Sequence, residues 1–203
     1  EIFVTNPASA AAATAAPSPS QFSDSGTLAA RLSAAFLAVR GETERRAAAL
    51  SPEDQVVQSM PDASPTKWHR AHTTWFWEQF LLGEHSQDYV PYHPDYAYLF
   101  NSYYVSAGPR HARAQRGHLT RPGAEEITAY RRHVDAAVVG FLNDADDATL
   151  AKLAPLIDVG LNHEQQHQEL MLTDILHAFA QNPIPPAYDP SWKFPASHAG
   201  AHE

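Results

Sequence analysis

Cysteine is absent from this 203-residue sequence. Disulfides and thiolate ligands are therefore excluded, and any metal site must be assembled from imidazole and carboxylate. No stretch approaches the ~18 consecutive apolar residues that a membrane-spanning helix requires. Basic residues are scarce: 14 Lys and Arg stand against 23 Asp and Glu, a formal net charge of −9 at pH 7. Neutralising a phosphate backbone needs a basic face, so nucleic acid is not an expected partner, nor is a membrane. Strand signals are nearly missing and there is no internal repeat, which leaves an all-α fold. Residues 1–30 hold no basic n-region followed by a continuous apolar segment, so no secretory signal is read and a cytoplasmic setting is expected. The chain opens on Glu1 rather than Met, as a processed or cut piece would.

What is present describes one folded domain with tails. Hydrophobic residues make up 44% and charged ones 18%, enough apolar material for a core and too little charge for a disordered chain. Residues 1–24 are Ala/Ser/Pro-rich and read as a flexible leader. A helical pattern follows to about Ala49, with Leu28, Leu32, Phe36 and Val39 on one face and Arg31, Arg40 and Glu42 elsewhere. Ser51-Pro52 signals a short helix, and Ser64-Pro65 opens a longer one running from about 65 to 82. Residues 83–122 form a long connection in which only "DYAYLFNSYYVSA" suits a short helix, and connections of that length are often functional. A third long helix follows Pro122, burying Ile127, Tyr130, Val134, Val138 and Phe141, and "NDADDAT" breaks it. A fourth runs from about Leu156 to Ala180. The expected architecture is a four-helix bundle with a long central crossover over 25–182, and a Pro-rich linker or the start of another domain over 183–203.

Histidine is abundant, with 12 residues concentrated in a few places. In "GLNHEQQHQELML" His163 and His167 stand four apart on the fourth helix. Both imidazoles then leave one face about 6 Å apart along the axis, a spacing at which two side chains can grip one ion. In "KWHRAHTTWFWE" His72 sits among Trp68, Ala71, Trp75 and Phe76 on the stripe that faces the interior, with His69 one turn earlier as a competing third ligand. The aromatics around it are read as core.

The H-E-x-x-H spacing also suits a zinc protease, which would use Glu164 as general base. The longer pattern with a third histidine fails here, because Leu170 and Thr173 hold the positions of its glycine and final histidine. No edge strand is evident to hold a peptide, and Glu164 is expected as a solvent-facing charge outside the site. Zinc, iron and nickel all accept imidazole, so ligand type alone does not select the metal.

Three segments, "SPTKWHRAHTTWFWEQFLL", "NSYYVSAGPRHARAQRGHLTRP" and "NHEQQHQELMLTDILHAF", resemble the N-terminal DinB-like domain of the ergothioneine-biosynthesis sulfoxide synthases (EgtB), over roughly residues 27–190. The resemblance implies a four-helix DinB-like bundle and a non-haem iron(II) oxidoreductase. Such enzymes use O₂ to join the sulfur of a cysteine-containing thiol, γ-glutamylcysteine or cysteine, to the imidazole of hercynine as a sulfoxide. It implies His72, His163 and His167 as the Fe(II) ligands, with His72 rather than His69 matching the family position. It further implies that Arg113 and Arg116 bind substrate carboxylate and that Gln166 contacts hercynine.

The family normally continues into a C-terminal catalytic domain similar to formylglycine-generating enzymes, which supplies a catalytic tyrosine. This sequence ends at Glu203, where that domain would begin, so the fragment alone is expected to show little activity. None of Tyr103, Tyr104 and Tyr130 is assigned that tyrosine's role. Two other readings stay open: a zinc- or nickel-dependent thiol transferase of the DinB-like superfamily, and an inactive metal-binding module.

Overall fold

The computed structural model describes residues 26–104 and 108–191. The expected leader at 1–24 and the last residues of the exit segment, 192–203, lie outside them.

Helix α1 spans Leu28–Ala47. Thr27 starts it, its hydroxyl accepting the Ala30 N–H at 3.2 Å, and Arg45 and Arg46 in the last turn favour the negative end of the helix dipole. Ser51 and Asp54 cap each other reciprocally, Ser51 N–H to Asp54 at 2.9 Å and Asp54 N–H to Ser51 at 3.2 Å, and open a single 3-10 turn over Asp54–Val56. Helix α2 spans Thr66–Phe76, passes into a π-helical turn over Trp77–Leu82 and ends in a last turn, Gly83–His85. All eleven residues of Thr66–Phe76 are buried, because α2 is wrapped by other elements on every side. Ser64 does not cap it as expected; its hydroxyl accepts from Arg116 instead, at 2.9 Å.

Helix α3, Ala124–Asp144, buries Ile127, Tyr130, Val134 and Val138 as expected. Phe141 is only partly buried, and Leu142, four residues after Val138, fills the core position instead. Helix α4, Asp147–Ala180, is 34 residues long and starts nine residues before the expected Leu156. The break read at "NDADDAT" is confined to Ala145 and Asp146, and Asp146 caps α4 by accepting the Thr149 N–H at 2.7 Å. Pro155 then sits inside the helix. It is tolerated because Ala151, whose carbonyl loses its partner, and Pro155 itself are both on the exposed side, while Leu150, Leu153 and Ile157 carry the buried stripe.

The four helices form an all-α bundle, and the described residues contain no strand. α4 approaches α2 closely at Gly160, where a Cβ would lie 2.5 Å from Trp77 Cη2 and 2.9 Å from Phe76 Cε1. This contact is one turn before His163.

Two polar residues expected at the surface are in the core. The apolar pattern sets Arg40 off the buried face of α1 and Glu164 towards solvent, yet their exposures are 2% and 0%. Glu164 accepts from Thr43 at 2.7 Å and Arg131 at 2.9 Å with one oxygen, and from Arg40 at 3.0 Å with the other. Arg40 also donates to Asp135 at 2.7 Å, and Arg131 pairs with Glu44 at 2.6 Å. Burial opposes the Glu164 charge, but Arg40 and Arg131 outweigh it and hold the carboxyl down at about 2. A charge is stable inside when it is paired and hydrogen-bonded, and this one is both.

The crossover carries one short helix, Tyr96–Leu99, and a 3-10 segment, Arg113–His118. Two clamps fix it. The buried Glu78 accepts from Tyr89 and Tyr130 hydroxyls, each at 2.6 Å, and from the Tyr92 N–H at 2.9 Å. Gln58 donates to the Arg113 carbonyl at 2.8 Å and accepts the Gly117 N–H at 2.6 Å. Gly117 permits that approach, since a Cβ there would meet Gln58 Cβ at 2.6 Å. The exit segment lies back on the bundle, where Tyr188 packs on Leu50, Ile175 and Phe179 and donates to the Arg46 carbonyl at 2.8 Å. Among the described residues no helix is long and apolar enough to cross a membrane.

Candidate metal centre

His72 from α2 and His163 and His167 from α4 converge at the interior end of the crossover. Each offers a ring nitrogen, and the three atoms lie within 4.8 Å of one another. The Nε2 atoms of His72 and His163 are 3.2 Å apart. Two imidazoles bound side by side to one transition metal, each at ~2.1 Å, stand about 3.0–3.4 Å apart, so this spacing suits a shared ion.

The hydrogen bonds around the rings decide which nitrogens face inward. His72 Nδ1 lies 2.6 Å from the Phe100 carbonyl, which can only accept, so this nitrogen carries the proton and Nε2 is left with its lone pair. The ring is fixed further by stacking, with Trp68 at 4.6 Å and Trp75 at 5.4 Å between centroids. His167 Nδ1 is engaged by His69 Nδ1 at 2.9 Å, leaving Nε2 for the cluster. His163 Nδ1 is buried with no hydrogen-bond partner among the described residues.

Burial disfavours the charged imidazolium at all three positions, and the neighbouring histidines add to it at His72 and His167. His163 is lowered to about 4 by burial, and His72 and His167 also stay well below the usual histidine range. All three are therefore neutral bases at pH 7, the state a metal requires. Three neutral nitrogen donors without a carboxylate fit a divalent transition metal and leave positions open for exogenous ligands.

The cluster opens into a cavity of about 260 Å³ lined by His72, His163, His167, Arg113, Arg116 and Gln166 among others, with no carboxylate among the described residues of its wall. Arg116 is 3% exposed, lies over the Trp68 ring at 3.3 Å and donates to Ser64 at 2.9 Å and Ser102 at 3.1 Å. Burial lowers it to about 9, which still leaves it charged at neutral pH, and among the described residues no carboxylate pairs with it. Its Nε is buried and has no hydrogen-bond partner among the described residues, as is the case for Arg113. Arg113 is half-buried and donates to the Tyr103 hydroxyl at 2.8 Å and to the Asp62 carbonyl. Gln166 is exposed and lies at the mouth, where it also lines an adjoining surface hollow with Tyr104 and Asn162.

All six residues singled out in the sequence thus border one cavity. Glu164, set aside on sequence grounds, is indeed away from it, but inside the core rather than in solvent. Sequence reasoning weighed His69 only as a rival ligand. It is instead a neighbour of one, bridging His167 to Asp174, whose Oδ2 is 3.0 Å from His69 Nε2. Asp174 was overlooked, although it lies seven residues and so two turns beyond His167 on the same helix face. Tyr104, partly buried beside the cluster, also lines the cavity.

These features define an all-helical domain with a cluster of three histidines that could hold a metal ion. A family model described as the DinB superfamily matches residues 35–171, and the chain belongs to that superfamily, whose domains in general bind metal. No curated protein matches the sequence.

Proposed function

We propose that this domain is the iron-binding part of a non-haem iron(II), O₂-dependent sulfoxide synthase that joins hercynine to a cysteine-containing thiol in ergothioneine biosynthesis. The observation that carries the reading is the pairing of an all-imidazole donor set with a cavity whose described lining holds no carboxylate and includes the buried Arg116 guanidinium, which forms no ion pair among the described residues. The resemblance of the three sequence segments supplies the substrates.

The reaction consumes one O₂ per thiol and hercynine. The thiol S–H and the imidazole C–H are replaced by a C–S bond, one oxygen atom goes to sulfur and the other leaves as water. His72, His163 and His167 would hold Fe(II), which when bound would supply O₂ activation and a site for thiolate. Arg116, buried and in no ion pair among the described residues, and Arg113 beside it offer guanidinium forks to a substrate carboxylate. Gln166 at the mouth offers an amide to hercynine. Holding both substrates against one another removes the entropic cost of their meeting. The proton-donating tyrosine is assigned to a C-terminal catalytic domain.

The test uses protein from the whole reading frame, loaded anaerobically with Fe(II) and supplied with hercynine and either γ-glutamylcysteine or cysteine. Oxygen uptake with formation of the sulfoxide is expected, and its absence with both thiols would overturn the proposal. The same three imidazoles also suit tetrahedral zinc, which favours a zinc- or nickel-dependent thiol transferase as the second reading. Stoichiometric zinc or nickel in anaerobically purified protein, with thiol transfer and no oxygen uptake, would establish that alternative.

A further inference from the structure

We propose that His69 and Asp174 are positioning residues that fix the tautomer of His167 and so set the affinity of the metal centre. This rests on His72, His163 and His167 being the ligands, and not on which metal or reaction they serve.

Three contacts in series carry the inference. The Ser64 N–H donates to Asp174 Oδ2 at 2.8 Å, which anchors that carboxylate to the start of α2. The same oxygen lies 3.0 Å from His69 Nε2, and His69 Nδ1 lies 2.9 Å from His167 Nδ1. A carboxylate oxygen has no proton to give, so the hydrogen in the second contact sits on His69 Nε2. A neutral His69 then has a bare Nδ1, and the hydrogen in the third contact must come from His167 Nδ1. That leaves the lone pair of His167 on Nε2, the nitrogen not engaged by His69 and so available to an ion shared with His72 and His163. The opposite arrangement, with His69 donating from both nitrogens, would place the proton of a neutral His167 on Nε2 and block that ligand.

The geometry allows His69 no other evident task. It is 3% exposed on α2, three residues from His72, and is not one of the three converging ligands. A buried imidazole that spends one nitrogen on a carboxylate and the other on a ligand's outer nitrogen orients that ligand and raises its basicity. Loss of such a partner typically costs 10–100-fold in metal affinity.

The experiment has two arms on the full chain. Anaerobic Co(II) titration, followed by visible absorption, compares wild type with His69→Phe, His69→Asn and His167→Ala. His69→Phe should bind Co(II) about 10–100-fold more weakly. His69→Asn, whose amide oxygen can accept from His167 Nδ1, should recover most of that loss. Nitrogen-15 histidine spectra of metal-free wild type form the second arm and should show His167 protonated on Nδ1 with Nε2 bare.

Wild-type affinity in His69→Phe, or a metal-free His167 protonated on Nε2, would overturn the assignment. Failure of the metal-centre reading looks different: Co(II) binding would then be unaffected by His167→Ala. If His69→Phe does not fold, the Asn variant and the wild-type spectra still decide.

Discussion

Replacing Glu164 by Gln removes one buried negative charge and little volume. In the folded protein that carboxylate accepts from Arg131 at 2.9 Å, Arg40 at 3.0 Å and Thr43 at 2.7 Å, at zero exposure. A Gln amide has one oxygen for these donors, and its NH₂ must face one of them. The magnitude follows from the carboxyl's titration. Its value falls from 4.5 to about 2, and at about 1.4 kcal/mol per unit the folded state favours the ionised form by about 3 kcal/mol. Breaking a buried pair by removing one partner costs about 3–5 kcal/mol in other proteins, so the two routes agree.

Urea denaturation at pH 7 should therefore show Glu164→Gln less stable by about 3–5 kcal/mol. The sign with pH is fixed as well. A depressed carboxyl contributes stability above its unfolded value of 4.5, and that stability is lost as pH falls through the folded value of about 2. The gap between wild type and variant should be widest above pH 5 and narrow steadily towards pH 2. A loss below about 1 kcal/mol, or a gap that does not change with pH, would refute the assignment of Glu164 to the ion cluster. A protease-type general base predicts the reverse, a stable variant without activity.

Chelation of bound metal should lower the melting temperature, since a ligand at 100 times its Kd stabilises by about 2.7 kcal/mol; His72→Ala and His167→Ala should remove that response, as calorimetry with and without metal would show. Gly160→Ala should lower stability by about 1–2 kcal/mol despite its better helix propensity, because Trp77 and Phe76 are fully packed and a methyl at 2.5 Å forces them apart; thermal melts check this. Arg116→Met should weaken binding of a carboxylate-bearing thiol about tenfold or more while leaving Co(II) affinity near wild type, measured by thiol titration of the metal-loaded protein.

The helices and the three convergent histidines were legible because each rests on local periodicity. His163 and His167 share a face by spacing alone, and His72 lies on the apolar stripe of α2. The start of α4 was misplaced because Pro155 reads as a boundary, while the capping Asp146 and the stripe Leu150, Leu153, Ile157 carry the helix past it. Arg40 and Glu164 were misplaced for a different reason. A hydropathy pattern assigns charges to the surface, and only partners 95 and 124 residues away make burial tolerable. The His69–His167 contact likewise joins residues 98 apart. Pairing at that range leaves no mark on either segment by itself.

The H-E-x-x-H segment now has a physical division. His163 and Glu164 are about 100° apart on α4, so one imidazole points to the cavity while the adjacent carboxylate enters the core; His167 and Gln168 repeat the split one turn later. A slip of α4 by one residue in one direction would drive an imidazole against Arg40 and Arg131, and a slip in the other would swing the carboxylate into the metal site. The buried ions thus oppose any rotation of the ligand helix, a register role that buried polar groups fill elsewhere. A variant with Arg40→Met, Arg131→Leu and Glu164→Leu tests this. Asp135 and Glu44 lose their partners but are 24% and 39% exposed, so water can take over. Apolar replacement of a buried ion cluster is often neutral or stabilising by about 1–4 kcal/mol, so the variant should melt no lower than wild type. Its Co(II) affinity should nevertheless fall, with more than one set of His163 and His167 signals in the metal-free spectrum. Wild-type affinity and a single set would show that apolar packing alone sets the register, and the ion cluster would then have no part in shaping the site.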